Sequence, residues 1–231
     1  MRDRRAESIE KIGKAISSKI RRGALVGLGS GSTMAALLPT VAAELKRTKV
    51  RPRWVPTSLQ IQLVAQGLGQ EIGSIDRPGL DLVVDGADQI DADLNLIKGG
   101  GGALFREKVV IGTSRNTVIV ADERKLADRL CSNGVRVPVE AHPFARVSVA
   151  ERLRAIGGEP RIRLGERDFP FYTENGNVLF DTGFGPIERP SVLEAEIKSI
   201  AGVVESGIFT PRPVEVYVIQ ENGGFRVLKK N

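Results

Sequence analysis

The chain has 231 residues and a formal net charge of +6, from 34 Lys plus Arg against 28 Asp plus Glu. Hydrophobic residues are 41% and charged residues 27%, which suits one large domain, or a domain with a smaller companion, and excludes global disorder. One cysteine, Cys131, and one histidine, His142, exclude an intrachain disulfide framework, a multi-cysteine zinc site and a His-rich metal centre.

The opening segment, MRDRRAESIEKIGK, lacks the apolar stretch of a secretory signal. It reads as a helix, with Ile9, Ile12, Ile16 and Ile20 at helical spacing and Arg22-Gly23 as the stop. Ala24-Leu25-Val26 begins a short apolar strand that runs into glycines. Thr33 to Arg47 is again helical, with Met34, Leu37, Leu38, Val41 and Leu45 on one face and Pro39 expected to kink or break it. Trp54-Val55 reads as a strand, and Ser58 to Gln66 as a helix with Ser58 as N-cap. Leu80–Val84 and Thr117–Ala121 read as buried strands on either side of a helix from Gly102 to Ile111. Short apolar strands alternating with helices predict a parallel sheet covered on both faces. After about residue 131 the pattern changes. Arg146–Ile156 and Pro190–Ala201 read as helices, and Phe171–Thr173 with Val178–Asp181 as a hairpin across Glu174-Asn175-Gly176-Asn177. Val214–Gln220 and Phe225–Lys229 form a second hairpin candidate. No apolar run approaches the ~18 residues of a membrane span, so a cytoplasmic protein with no membrane partner is expected.

Three loops have the composition to hold an anion. Gly27-Leu28-Gly29-Ser30-Gly31-Ser32-Thr33 joins a strand to a helix, where glycines admit close backbone approach and the helix start attracts negative charge. A dinucleotide fingerprint fails here because Ser32 stands where the third glycine belongs, and a Walker A loop fails because no Lys precedes Ser32 or Thr33. A glycine turn with a hydroxyl cap accounts for the stretch equally well. Asp85-Gly86-Ala87-Asp88 follows a predicted strand, at the end where open parallel sheets bind ligands. Two carboxylates there suit sugar hydroxyls or proton transfer between oxygens; an Asp-rich turn is the competing reading, and the pair is a poor magnesium site without a third ligand.

The third loop is the most unusual. Lys98 precedes Gly99-Gly100-Gly101-Gly102 and a helix carrying Glu107. Four successive glycines are entropically costly, and a structural turn rarely needs more than one or two. Approach of the backbone to a ligand at a helix N-terminus explains the excess better, with Lys98 as a point charge. Glu107, about one and a half turns into the helix, is read either as functional or as half of a surface salt bridge. Lys125, after the next strand, is a candidate second cation, and His142 and Cys131 are read as structural. Aromatic residues are 5% and no basic, aromatic-interleaved stripe occurs, which argues against a nucleic-acid partner.

Taken together, GLGSGST (27–33), VPTS (55–58), VDGADQID (84–91), LIKGGGGALFREK (96–108) and ADERKL (121–126) resemble the type A ribose-5-phosphate isomerases, and TENGNVLFD (173–181) and GVVESGIF (202–209) extend the likeness along the chain. The resemblance implies an α/β fold: a Rossmann-like parallel-sheet domain, placed at 1–130 plus 208–231, with a smaller α+β domain inserted at 131–207. It implies a cofactor-free, metal-free aldose–ketose isomerase acting on a small sugar phosphate, assembled as a homodimer or homotetramer. The family's general base falls on Glu107, its motif lysines on Lys98 and Lys125, its paired carboxylates on Asp85 and Asp88 around Gly86 and Ala87, and its phosphate loop on Ser30-Gly31-Ser32-Thr33. Gly99, Gly100 and Gly101 complete the implied substrate contacts. Two departures stand out. Members commonly carry Thr where this chain has Ser30, and some place a first-helix lysine where Ile9 stands here; neither Lys11 nor Lys14 is assigned in its place. Competing functions are another sugar-phosphate isomerase, an amino-sugar-phosphate deaminase, and the sugar-phosphate sensor of a regulator, for which no DNA-binding segment is spare.

Overall fold

A computed structural model describes residues 4–77, 79–210 and 214–229. In chain order its elements are α1 (Arg4–Ser17), β1 (Leu25–Leu28), α2 (Ser32–Thr48), β2 (Arg53–Pro56), α3 (Leu59–Gly67), β3 (Glu71–Ile72), β4 (Leu82–Gly86), β5 (Gln89–Ile90), β6 (Leu96–Ile97) and α4 (Leu104–Thr113). They continue as β7 (Thr117–Asp122), β8 (Val137–Ala141), α5 (Arg146–Ala155), β9 (Glu159–Ile162), β10 (Val178–Gly183), α6 (Pro190–Lys198), β11 (Val203–Ser206), β12 (Ile208–Phe209), β13 (Val214–Ile219) and β14 (Phe225–Lys229). The chain divides into two compact units. The first takes the described residues of Met1–Gly86, Arg106–Arg124 and Pro213–Asn231, the second those of Ala87–Phe105 and Lys125–Arg212.

The first unit is built on a seven-stranded sheet in the order β14-β13-β7-β4-β1-β2-β3. All neighbours pair in parallel except β14, which folds back antiparallel on β13 as the second predicted hairpin. The parallel strands thus follow the doubly-wound order, with the direction of winding reversing between β1 and β4. Val26 and Leu28 of β1, Leu82 and Val84 of β4, and Val118 and Val120 of β7 share a core with the buried faces of α1, α2 and α3. On the other face a Cβ at Gly27 would come 3.4 Å from Val110 of α4, so that helix covers the opposite side.

Three elements depart from the sequence expectation. The first helix stops at Ser17 instead of Arg22-Gly23, because Ser17 and Ser18 turn their hydroxyls back onto the carbonyls of Gly13 and Ala15, while Ile20 stays buried beyond the helix end. Pro39 does not break α2: it lies exposed inside one continuous helix, where water can serve the carbonyl that its missing N–H leaves unpaired. The strand expected at Leu80–Val84 starts at Leu82 and runs to Gly86, so Asp85 belongs to the strand instead of the turn after it.

The second unit holds a four-stranded antiparallel sheet, β11-β8-β10-β9, and a small three-stranded one, β12-β6-β5. Its core joins Val137 and Val139 of β8 to Val149 and Leu153 of α5, Val178 and Phe180 of β10, and Ile197 of α6. The sequence places the smaller domain at 131–207; the compact unit instead begins at Lys125 and recruits Ala87–Phe105. The reason is pairing: β5 and β6 join β12 and not the large sheet.

The hairpin expected at 171–181 is only half formed. The turn closes through Thr173 N–H to the Asn177 carbonyl, but its first arm makes a single bridge, Tyr172 to Val178, while β10 pairs with β8 and β9. The turn is fastened from below by Glu140, fully buried on β8. Its Oε1 accepts from Thr173 Oγ1 at 2.9 Å, Asn175 Nδ2 at 3.0 Å and Asn177 Nδ2 at 2.8 Å. Replacing Glu140 with Leu strands the buried donors of Thr173 and Asn177, and is expected to cost roughly 2–4 kcal/mol. Urea titration followed by far-UV circular dichroism checks this; an unchanged midpoint would show that the carboxylate is dispensable.

Cys131 is buried, and burial pushes its thiol up to about 11. The folded protein is expected to resist iodoacetamide at pH 8 and to react fully in denaturant, as intact mass would report.

Candidate active site

The winding reversal between β1 and β4 leaves two strand ends side by side. Gly29 leaves β1 with its N–H donated to the Val84 carbonyl at 2.8 Å, and Asp85 occupies the penultimate position of β4 with no solvent exposure. A Cβ on residue 29 would fall 1.8 Å from Asp85 Oδ1, so only glycine leaves room for the carboxylate. Asp85 Oδ1 also accepts the N–H of Gly86 at 2.7 Å.

Gly31 is the N-cap residue of α2, with φ 95°, and Ser32 and Thr33 open the helix. Backbone N–H groups therefore stand at a helix start, where negative charge is favoured. Ser30 adds a hydroxyl beside them. Its Oγ lies 2.6 Å from Thr57 Oγ1 and 2.8 Å from Ser58 Oγ, the hydroxyl that caps α3. The GLGSGST and VPTS motifs thus meet through three hydroxyls, and the Ser30 departure keeps the hydroxyl that this contact uses.

Glu107 stands in the first turn of α4, nearer the helix start than its predicted place, and is 5% exposed. That burial removes the surface salt-bridge reading.

In the second unit, Lys98 is 2% exposed, with its backbone N–H on the Gly207 carbonyl at 2.9 Å and its ammonium 5.7 Å from the centroid of the Phe209 ring. The GVVESGIF motif therefore shapes the Lys98 environment. Asp88 Oδ2 accepts the Gly100 N–H at 2.7 Å, and the Asp88 N–H donates to the Ile97 carbonyl. The four glycines have separate reasons to be glycine. Gly99 and Gly102 have φ of 110° and 82°, and a Cβ on Gly100 would meet Asp88 Oδ1 at 2.8 Å. Gly101 has neither a positive φ nor a neighbour within 4 Å of its Cβ position, so nothing among the described residues requires glycine there.

The remaining predicted residues divide as follows. Ala87 lies in the second unit with Asp88, and Lys125 closes a 3-10 turn at the start of that unit's later segment, partly exposed. The chain passes between units at Gly86–Ala87, Phe105–Arg106 and Arg124–Lys125, so three of the motifs each contain a crossing. Ile9 is a core residue of α1, Lys11 donates to the Gly223 carbonyl at 2.6 Å and Lys14 pairs with Glu10, so each has a structural task. His142 Nδ1 accepts the Phe144 N–H as the cap of a 3-10 turn, which fits its structural reading. Among the described residues no group of three or more His, Cys, Asp or Glu side chains is placed to hold a metal ion, and no helix is long and apolar enough to cross a membrane.

The residue that sequence reasoning missed is Arg163, which follows β9. Its Nη1 donates to the carbonyls of Gly99 at 2.9 Å and Gly100 at 3.0 Å, and its Nε and Nη2 hold Asp181 at 2.9 and 2.5 Å. Nothing local in Arg161-Ile162-Arg163 separates it from its neighbours; only Asp181, inside the TENGNVLFD stretch, hints at a partner.

The family model for ribose 5-phosphate isomerase A (phosphoriboisomerase A) matches residues 53–223. The chain belongs to the ribose-5-phosphate isomerase A family. It is 39% identical over 220 residues to the ribose-5-phosphate isomerase A of Methanosarcina acetivorans, covering 94% of this chain and 92% of that one. The solved ribose 5-phosphate isomerase A of Methanocaldococcus jannaschii superposes with a TM-score of 0.89 at 35% identity, over 96% of this chain and 98% of that one. A D-ribose-5-phosphate isomerase solved in complex with phospho-erythronic acid gives 0.89 at 36% identity, with the same coverage. An α/β fold and an isomerase function follow from this membership.

Proposed function

We propose that the chain carries out the family's reaction, the interconversion of D-ribose 5-phosphate and D-ribulose 5-phosphate, without a cofactor and through an enediolate, using the residues named above. The observation that carries this assignment is burial: Asp85, Lys98 and Glu107 are 0%, 2% and 5% exposed. Removing an ionisable group from water costs several kcal/mol, and chains do so rarely without a use for the group. This chain does it at the positions where the motifs put the chemistry.

The open-chain sugar must lose a proton from the carbon beside its carbonyl and regain one at the adjacent carbon. Glu107 is the base that takes and returns it. Negative charge then develops on oxygen, and Lys98 stabilises it from a site shielded from water. Asp85 and Asp88 orient the hydroxyls and move protons between oxygens, including those of ring opening. Gly99, Gly100 and Gly101 let the backbone approach the substrate. The phosphate, remote from the reacting carbons, binds at the start of α2 through Ser30, Gly31, Ser32 and Thr33 and to Lys125; its binding energy aligns the carbons. A cytoplasmic homodimer or homotetramer is part of the same reading, and sedimentation velocity distinguishes the two.

The decisive experiment is conversion of ribose 5-phosphate to the ketose in chelator-treated buffer. Sustained turnover is expected. Loss of activity on chelation would overturn the cofactor-free mechanism, and ammonia release from an amino-sugar phosphate with no pentose turnover would point to a deaminase. Within the same assay Lys125→Ala is expected to raise KM roughly tenfold, the worth of a charged hydrogen bond, with kcat little changed. An unchanged KM would remove Lys125 from the phosphate.

A further inference from the structure

The arrangement around Arg163 has a geometric consequence for the glycine loop. No peptide bond of the described chain is cis, so in each peptide plane the C=O and N–H point in opposite directions. Arg163 Nη1 holds the Gly99 and Gly100 carbonyls, at 2.9 and 3.0 Å. The N–H groups of the same two planes, those of Gly100 and Gly101, must therefore face away from the guanidinium. The first of them ends on Asp88 Oδ2 at 2.7 Å. The second, on an exposed residue, has no acceptor among the described residues. One peptide group thus links Arg163 to Asp88, and the next presents a donor to whatever lies on the Asp88 side.

The guanidinium itself cannot drift. Asp181 holds it through Nε and Nη2, the Arg163 side chain is 15% exposed, and its Cζ lies 5.9 Å from the centroid of the Phe171 ring. Phe171 in turn closes on the loop, since a Cβ at Gly102 would meet its Cε1 at 2.7 Å. The backbone is also tied behind: the Arg163 N–H donates to the Leu179 carbonyl, and the Arg163 carbonyl accepts from Phe171 N–H. A loop of four glycines has the greatest conformational freedom of any sequence. Here one forked side chain removes that freedom, and a positive charge on the carbonyl side polarises the opposing N–H groups as donors.

We infer that Arg163 is a positioning residue for the isomerisation: clamped by Asp181, it holds the Gly99–Gly101 backbone so that the Gly101 N–H and the adjoining Lys98 stand ready for substrate oxygen. The inference rests on the assignment of Lys98 and the glycine loop to the site made above. It assigns no bond-making step to Arg163.

The test is a pair of variants with two readouts. Arg163→Met keeps the aliphatic stem and loses the donors. Arg163→Lys keeps the charge but cannot serve both carbonyls and both Asp181 oxygens at once. Misplacing reacting groups by about 1 Å costs on the order of 10²-fold, so kcat is expected to fall roughly 10–100-fold in Arg163→Met, with KM changed much less, and Arg163→Lys is expected to recover only part of it. Amide hydrogen exchange should rise at Gly100 and Gly102, whose N–H groups are bonded to Asp88 and to the Gly99 carbonyl, in both variants while the rest of the second unit keeps its protection. A structural role alone would instead lower the melting temperature and leave kcat per folded molecule unchanged, which would overturn the inference. Unchanged exchange in the loop would overturn it as well. Should Arg163→Met fail to fold, Arg163→Lys and Asp181→Asn carry the same comparison. The exchange readout needs no turnover, so a wild-type protein inactive on ribose 5-phosphate would count against the reaction and not against the clamp.

Discussion

Glu107→Gln is expected to lower turnover by about 10²–10⁴-fold while the protein stays folded. The amide matches the carboxylate in size and fits the same buried position in the first turn of α4, so packing is preserved. It cannot accept a proton from carbon, and that is the step at issue. The loss corresponds to about 3–5 kcal/mol of transition-state stabilisation, far more than a hydrogen bond to a spectator group contributes. Because substrate binding draws on the phosphate and hydroxyl contacts, KM should move little, which separates loss of a base from loss of binding. Two measurements check this. Initial rates give kcat, and incubation in D₂O reports deuterium uptake at the carbon that exchanges its proton. A variant with near-normal kcat, or with uptake at the wild-type rate, would remove Glu107 from the role of base, and Asp85 or Asp88 would have to be reconsidered.

How far the molecule was legible in advance varies by element, for identifiable reasons. The large sheet and its helices announce themselves because burial writes directly into the pattern: Val118–Ala121 is apolar throughout since both faces of β7 are covered, and Ile9, Ile12 and Ile16 repeat at the helical period since one face of α1 is covered. The assignment of Ala87–Phe105 to the second unit has no such trace. Strands β5 and β6 have two residues each, too few to show alternation, and β12, which pairs with β6, lies more than a hundred residues away in sequence. The turn at 173–177 has hairpin chemistry, yet its amides and Thr173 serve Glu140, leaving one bridge where two arms were expected. The motifs singled out the candidate residues, and burial adds to them what a sequence cannot say, that Glu107 and Lys98 are withdrawn from solvent. Arg163 was illegible because both its partners are tertiary.

The charge excess has a similar history. On the proposed reading, a sugar phosphate accounts locally for Lys98 and Lys125 only. Lys19, Arg21, Arg22, Arg77 and Arg115 gather instead around cavities of about 420 Å³ beside the N-terminal ends of β1, β4 and β7, the sheet edge opposite Gly29 and Asp85. Part of that charge is neutralised in place: Lys19 pairs with Glu215 and Arg77 with Asp81. Part of the +6 excess therefore lies at this end of the first unit, through Arg21, Arg22 and Arg115.

Gly29→Ala is expected to abolish most activity and to destabilise the first unit, although it adds one methyl group. The new Cβ would sit 1.8 Å from Asp85 Oδ1, 2.0 Å from its Cγ and 2.6 Å from its Cβ, well inside van der Waals contact. Neither side can yield cheaply. Gly29 is held by its hydrogen bond to the Val84 carbonyl, and Leu28 opposite Val84 fixes the strand register one residue earlier. Asp85 has no exposed surface into which to swing, and its Oδ1 already serves the Gly86 N–H. Overpacking of this kind costs about 1–3 kcal/mol, and relief requires Asp85 to leave the position in which it would meet substrate. A fall in kcat/KM of at least 10²-fold is therefore expected, with a lowered melting temperature. Gly67→Ala is the control, since a Cβ there meets nothing within 4 Å. The mechanism is isolated by coupling: in an Asp85→Gly background the clash disappears, so Gly29→Ala should cost little further stability, while activity stays lost in both. If the two substitutions instead added in full, the contact between residue 29 and Asp85 would not be the cause, and strain elsewhere in the turn after β1 would have to be.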